Sequence, residues 1–260
     1  MHDDPVVTPS RSSVTGAAAV VLLLASCVAG GPAAAAPAPA APDPRVGPLF
    51  LAGTPLHVCT GSVLDSADGD LVLTAAHCIA GSGGALSFAP GFDRGVSPFG
   101  LWTVSQIYVD PAWLESQDPQ HDYAVLRVAP SGTTVPASVE SVVGGGFELA
   151  SAPEPATTVA VTGYPTLGDG PVSCTAVTTS TDSYPTVVCD GLGEGTSGGP
   201  WITGSRVVAL VGGLDHGGCT DSVSYSPTFG SGTLALLDRA ERRGAGDSTP
   251  FALAGACTRS

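Results

Sequence analysis

Lysine is missing from all 260 residues, and the nine arginines are outnumbered by 23 acidic side chains, giving a formal charge of −14. Grip on a phosphate backbone needs clustered cations, so nucleic acid is excluded as a partner. The acidity is read as a solvated outer surface that favours solubility, with no steering role. Metal chemistry is equally short of material: no Cys-x-x-Cys or His-x-x-x-His spacing occurs, and no loop reads Asp-x-Asp-x-Asp-Gly. That leaves no zinc spacing and no calcium loop, and no cofactor is implied. The apolar segment 17–28 is too short to span a bilayer comfortably. No internal repeat is found, and nothing calls for a second subunit, so a monomer is expected.

What the chain does hold is glycine, proline and short β-branched runs. Leu71-Val72-Leu73-Thr74, Trp102-Thr103-Val104, Ala124-Val125-Leu126-Arg127-Val128, Thr158-Val159-Ala160-Val161 and Thr186-Val187-Val188 are each bounded by Gly, Pro, Asp or Ser. Strands at this spacing point to an all-β barrel or sandwich. One helical pattern stands out, over residues 233–242, where Leu234, Leu236, Leu237 and Ala240 share a face before Gly244. The stretch 144–155, rich in Gly, Ala and Pro, is read as a linker between two halves.

Residues 1–42 are read as a leader followed by an Ala/Pro-rich linker, and residues 43–260 as the working domain. Segment 17–28 has the length of a signal-peptide core, although Asp3 and Asp4 precede its single Arg11. Cleavage in the Ala-rich tract would release the protein outside the cell. The alternative is a cell-surface lipoprotein, because Leu24-Ala25-Ser26-Cys27 fits a lipidation signal and would make Cys27 a lipid anchor. On either path Cys27 is the odd one of seven cysteines, leaving six that can pair in an oxidising compartment.

Three stretches carry the chemistry: Leu73-Thr74-Ala75-Ala76-His77-Cys78, His121-Asp122-Tyr123-Ala124-Val125-Leu126 and Gly195-Thr196-Ser197-Gly198-Gly199-Pro200. They supply a base, an orienting acid and a nucleophile. A serine hydroxyl is a poor nucleophile until an imidazole takes its proton, and the imidazole works best when a carboxylate fixes its tautomer. The pentapeptide from Gly195 to Gly199 also fits an α/β-hydrolase elbow, but that fold needs its acid and then its histidine after the serine. The only histidine after Ser197 is His216, with Asp215 directly beside it, so that reading fails on order.

Each stretch resembles the matching segment of the chymotrypsin/trypsin family of serine proteases, and the likeness spans roughly residues 46–240. His77 and Asp122 stand 45 residues apart, the family's usual spacing. Val46-Gly47-Pro48-Leu49-Phe50, Phe88-Ala89-Pro90-Gly91, Pro98-Phe99-Gly100-Leu101-Trp102 and Gly163-Tyr164-Pro165 resemble secreted trypsin-like proteins of actinobacteria. The resemblance implies two six-stranded antiparallel β-barrels, over about 46–145 and 155–232, with the active site between them and a short C-terminal helix. It implies that Ser197 attacks, His77 shuttles the proton, Asp122 holds the ring, and the N–H groups of Gly195 and Ser197 form the oxyanion hole. It also implies a disulfide between Cys59 and Cys78. Of the three ways to join the other four cysteines, Cys174 with Cys189 and Cys219 with Cys257 is the choice adopted.

The chain also departs from the family. Thr196 stands where animal trypsins carry the aspartate that receives a new N-terminal ammonium, so Arg45-Val46-Gly47 is not expected to be an activating cut site. The segment 207–214, expected to run as a strand behind the site, lacks the family's serine and offers Gly212 and Gly213 instead. Gly191 replaces the aspartate that reads Lys or Arg. Substrate binding is assigned to Gly191, Gly213, Leu214 and His216, with polypeptides as the partners. The resulting expectation is a secreted serine endopeptidase. Its alternatives are a protease-like binding or surface protein that has lost turnover and, more weakly, an esterase.

Overall fold

In the computed structural model, which describes residues 1–2, 38–51, 53–81, 83–132 and 137–249, the chain divides into two compact units, 1–33 and 34–260. The account below concerns the second. The expected leader and Cys27 lie outside the described residues. So does Cys257; Cys219 is disulfide-bonded.

The strands are β1 (Ala38–Pro39), β2 (Val46–Leu51), β3 (His57–Val63), β4 (Leu71–Thr74), β5 (Leu86–Phe88), β6 (Trp102–Val109), β7 (Ala124–Pro130), β8 (Glu148–Leu149), β9 (Thr158–Gly163), β10 (Val172–Val177), β11 (Thr179–Thr181), β12 (Tyr184–Val188), β13 (Pro200–Thr203), β14 (Arg206–Leu210) and β15 (Val223–Tyr225). The α-helices are α1 (Pro111–Ser116), α2 (Val139–Val143) and α3 (Ser231–Glu241). Strands β2, β3, β4, β7, β6 and β5 close in that order into a barrel. The second half is a six-stranded sheet ordered β1-β10-β9-β13-β14-β8, with a three-stranded sheet β11-β12-β15. The Cys174–Cys189 disulfide ties β10 to the end of β12, so one covalent bond joins the two sheets. The architecture is all-β with a short C-terminal helix.

Barrel strands buried on both faces read as unbroken apolar runs, because successive side chains point to opposite sides. On β4, Val72 enters the barrel core with Leu126 of β7, whereas Leu71 and Leu73 join Val125 on the outer side. That outer layer packs against Phe147, Tyr164, Val207, Leu210 and the α3 residues Leu236 and Ala240. It is the seam between the halves. A third cluster, centred on Val161, Val187, Trp201 and Ala209, fills the second half.

Two local features differ from the sequence expectation. The stretch 144–155 is not a slack connection: β8 within it runs parallel to β14, Arg206 opposite Glu148. And β14 stops at Leu210, short of the expected 214. Gly213 has φ +78°, which ends an extended strand at no steric cost, and Leu214–Gly217 follows as a short 3₁₀ turn.

Pairing registers place the chemistry. Strands β4 and β7 are antiparallel with Thr74 opposite Ala124, so the residues just past Thr74 and just before Ala124 leave the barrel at one rim. Hairpin β13–β14 pairs Pro200 with Leu210, which brings the segments before 200 and after 210 to one end. Helix α3 is pinned by Arg127 of β7, whose guanidinium bonds the carboxylate of Asp70 and donates to the carbonyl of Ala240 near the helix C-terminus. Replacing Arg127→Leu should lower unfolding stability by roughly 2 kcal/mol, the worth of charge-assisted hydrogen bonds, and should speed amide exchange in α3. Denaturant melts and hydrogen exchange would measure both.

Candidate active site

Asp122 has no exposure to water. An ionised carboxylate at such a place must be given donors by the protein. Three arrive: the backbone N–H of His77 at 2.9 Å on Oδ1, the His77 ring Nδ1 at 2.7 Å on Oδ2, and the backbone N–H of Gly213 at 2.8 Å on Oδ2. Burial alone would push this carboxyl up. The charge of His77, its ring hydrogen bond and the two backbone N–H groups outweigh burial and hold the group below the usual 3.8. Fixing Nδ1 to the acid leaves Nε2 as the ring atom available to a nucleophile.

Gly213 thus gives Asp122 a backbone donor from a segment, 207–214, that carries no hydroxyl. The neighbouring Gly212 has no room for a side chain, since a Cβ there would sit 2.7 Å from Leu210 and 3.1 Å from Asp122 Oδ2. The sequence assigns Gly213 to substrate binding. Its N–H goes to Asp122, and its C=O accepts from the N–H of His216 at 2.9 Å.

His77 and Ser197 line one cleft of about 360 Å³ with Gly195, Thr166, Glu194, Leu56, Val58 and the Cys59–Cys78 disulfide. The ligand atoms of Cys59, Cys78 and His77 lie within 4.8 Å of one another, but the disulfide consumes both thiolates that a metal would need. Gly191, with φ +83° and its N–H on the carbonyl of Asp221, lies outside this lining, as do Leu214 and His216. His216 is instead stacked on the ring of His77, centroids 4.8 Å apart.

The loop around Ser197 is shaped by bonds to both halves. The carbonyl of Glu194 accepts from the N–H of Thr166 at 2.8 Å, so in that trans peptide the N–H of Gly195 points the opposite way. Among the described residues, neither Gly195 nor Ser197 spends its N–H on a backbone partner. At Gly198, with φ +80°, a Cβ would lie 2.3 Å from the carbonyl oxygen of Thr60, so only glycine lets the loop approach the barrel. Thr196 is 1 % exposed and closes a turn on itself, its hydroxyl donating to the carbonyl of Gly193 at 2.7 Å.

Sequence reasoning missed Thr60. Fully buried on β3, its N–H donates to the carbonyl of Ser197 at 2.7 Å and its hydroxyl to the carbonyl of Gly195 at 2.9 Å. The same hydroxyl accepts from the N–H of Tyr164 at 2.9 Å, and its carbonyl accepts from the hydroxyl of Thr74 at 2.8 Å. The sequence signal was slight: Thr60 is one of two hydroxyls, with Ser62, in the strand His57–Val63. His57, equally buried, similarly ties β3 to the other half through a 2.8 Å bond from its ring to the carbonyl of Pro165.

A cleft at the seam of a β-barrel and a second β half, with a buried carboxylate on a histidine and a serine loop beside it, defines a trypsin-like hydrolase architecture. The model of the trypsin-like peptidase domain family matches residues 59–210, more than half of the chain, and the protein belongs to that family. Among solved structures, the protease Anisep from Arthrobacter nicotinovorans is similar with a TM-score of 0.67 and 23% identity, over 78% of this chain and 98% of that one. The thermostable serine protease AL20 from an extremophilic microorganism gives 0.64 and 25%, over 77% and 98%. A scabies mite inactivated protease paralogue gives 0.60 and 16%, over 78% and 95%. A search of the curated proteins finds no match.

Thr60→Val keeps the shape of the side chain but strands the carbonyl of Gly195 and the N–H of Tyr164. Each buried orphan costs about 1–3 kcal/mol. The variant is expected to lose stability by that order and to lose activity beyond it, whereas Thr60→Ser should keep most of both. Paired melts and active-site titration would check this.

Proposed function

We propose that the protein is a secreted serine endopeptidase in which His77, Asp122 and Ser197 form the catalytic triad. The observation that carries the reading is the 2.7 Å bond from His77 to a fully buried Asp122, on a histidine that shares its cleft with Ser197 and Gly195. Ser197 Oγ attacks the carbonyl carbon of the scissile bond and passes its proton to His77 Nε2. The imidazolium that forms is held by Asp122, and the oxyanion is met by the N–H groups of Gly195 and Ser197. His77 then protonates the departing amine, the C–N bond breaks, and water repeats the sequence on the acyl-enzyme. The disulfides fit an oxidising compartment outside the cell, reached through a leader in residues 1–42.

One observation favours a second reading, a protease-like binding protein without turnover: both backbone groups of Gly213 are engaged within the chain. The presence of an intact acid, base and hydroxyl in one site weighs against it. Reaction with a fluorophosphonate separates the two. Labelling of the parent, absent in Ser197→Ala, together with peptide-bond cleavage of an unfolded protein, is the expected result. Asp122→Asn should then lower kcat by about 10³–10⁴-fold with KM little changed. An unlabelled parent would overturn the proteolysis reading.

Activation needs no cut before Val46. Its N–H donates to the carbonyl of Asp43 at 3.0 Å, the carbonyl of Arg45 accepts from Val63 at 2.8 Å, and Arg45 pairs with Asp43 while lying over the ring of Phe147. That peptide bond is woven into the barrel edge. Protein that retains residues 43–45 is therefore expected to be fully active, and inactivity until their removal would contradict this.

A further inference from the structure

The loop after β14 holds a run of left-handed backbone. Gly213, Gly217 and Gly218 have positive φ, and so do two residues with side chains, Asp215 at 50° and His216 at 56°. Two successive non-glycine residues in the left-handed region cost energy that persists only where the surroundings fix it. What this conformation achieves is the placing of the His216 ring on the face of the His77 ring, at 4.8 Å and 23° between planes, with the edge of buried Trp113 behind it at 6.5 Å. The same loop delivers the N–H of Gly213 to Asp122.

We propose that His216 is a positioning residue for the general base: its neutral ring, stacked on His77, fixes the tilt of that imidazole, and only the unprotonated form of His216 permits His77 to become imidazolium during turnover. This rests on the triad reading and replaces the expectation that His216 reads the substrate. The groups that face His216 are known. Burial and the charge of His77 push its pKa below 6.5, against the opposing pull of Asp122 and Asp215. The segment Pro119–His121 also packs on this loop, and there His121 is paired with Asp118 at 3.2 Å. Strand β15, whose titratable residue is Tyr225, packs on the loop as well. At neutral pH the ring is therefore uncharged. When acid protonates it, a second positive charge stands one ring-stacking distance from the site where the first must form, and the step is opposed.

Two variants separate the ring from its proton. His216→Phe keeps a flat ring that cannot titrate, and His216→Ala removes both. At pH 8 the phenylalanine variant is expected to keep kcat within about threefold of the parent, and the alanine variant to lose about tenfold in kcat with KM nearly unchanged. At the acid end, log(kcat/KM) of the parent should fall with a slope approaching two, against one for His216→Phe. Imidazole NMR on Ser197→Ala protein provides a readout independent of turnover. The His216 resonances should titrate below 6.5 and move upward on His77→Asn, which removes the neighbouring charge. Parent-like kcat in His216→Ala, equal acid slopes, or a His216 titration indifferent to His77 would overturn the proposal. Failure of fluorophosphonate labelling would overturn the triad reading and leave the NMR coupling to decide the stacking on its own.

Discussion

A carboxylate shut away from water dictates what surrounds it, and the cleft of this protein is arranged around the donors to Asp122. Two of them come from one residue, His77, because the segments that follow β4 and precede β7 leave the barrel side by side. The third comes from the other half of the molecule, from the backbone of Gly213. Each donor fixes a different thing: the backbone N–H of His77 sets where its residue sits, the ring bond sets its tautomer, and Gly213 sets how close the two halves stand. A charged group with no solvent is costly when any of these is lost. The geometry of His77 is thereby tied to the docking of the halves.

The seam between the halves is held by apolar packing and aligned by a few polar bonds. Leu71, Leu73 and Val125 on the barrel exterior meet Phe147, Val207 and Leu210 across it. That contact is strong but tolerant of small slides, since apolar burial has little directionality. Thr60 and His57 remove the tolerance. Both are buried on β3, and both reach across to carbonyl groups of the other half within hydrogen-bond distance. The proposed oxyanion hole would require such alignment, because its amides serve only if they meet the point where charge develops.

Much of this was legible in the sequence, for identifiable reasons. The strand Leu71–Thr74 announced itself by composition and was bounded by what its flanks contain. The order His, Asp, Ser removed the α/β-hydrolase alternative without any structure. What escaped notice were partnerships made through backbone. Nothing in the letters Gly212-Gly213 says that an amide there will serve a carboxylate ninety-one residues earlier. The glycines that made 207–214 look like a strand offering its edge are the ones that let it turn away. Thr60 was hidden for the converse reason: its partners are carbonyls and amides distant in sequence, so its hydroxyl had no nearby mate to betray it. Strand β8 was hidden by length, two residues within a stretch whose glycines and prolines read as linker.

Thr196 carries the last consequence. A serine loop braced by its own neighbour's hydroxyl takes its shape from contacts inside the loop and makes no call on a charged chain terminus. The wall of the cleft adds a condition of its own: the Cys59–Cys78 bond that borders it forms only where thiols are oxidised, so the site is complete only in such surroundings.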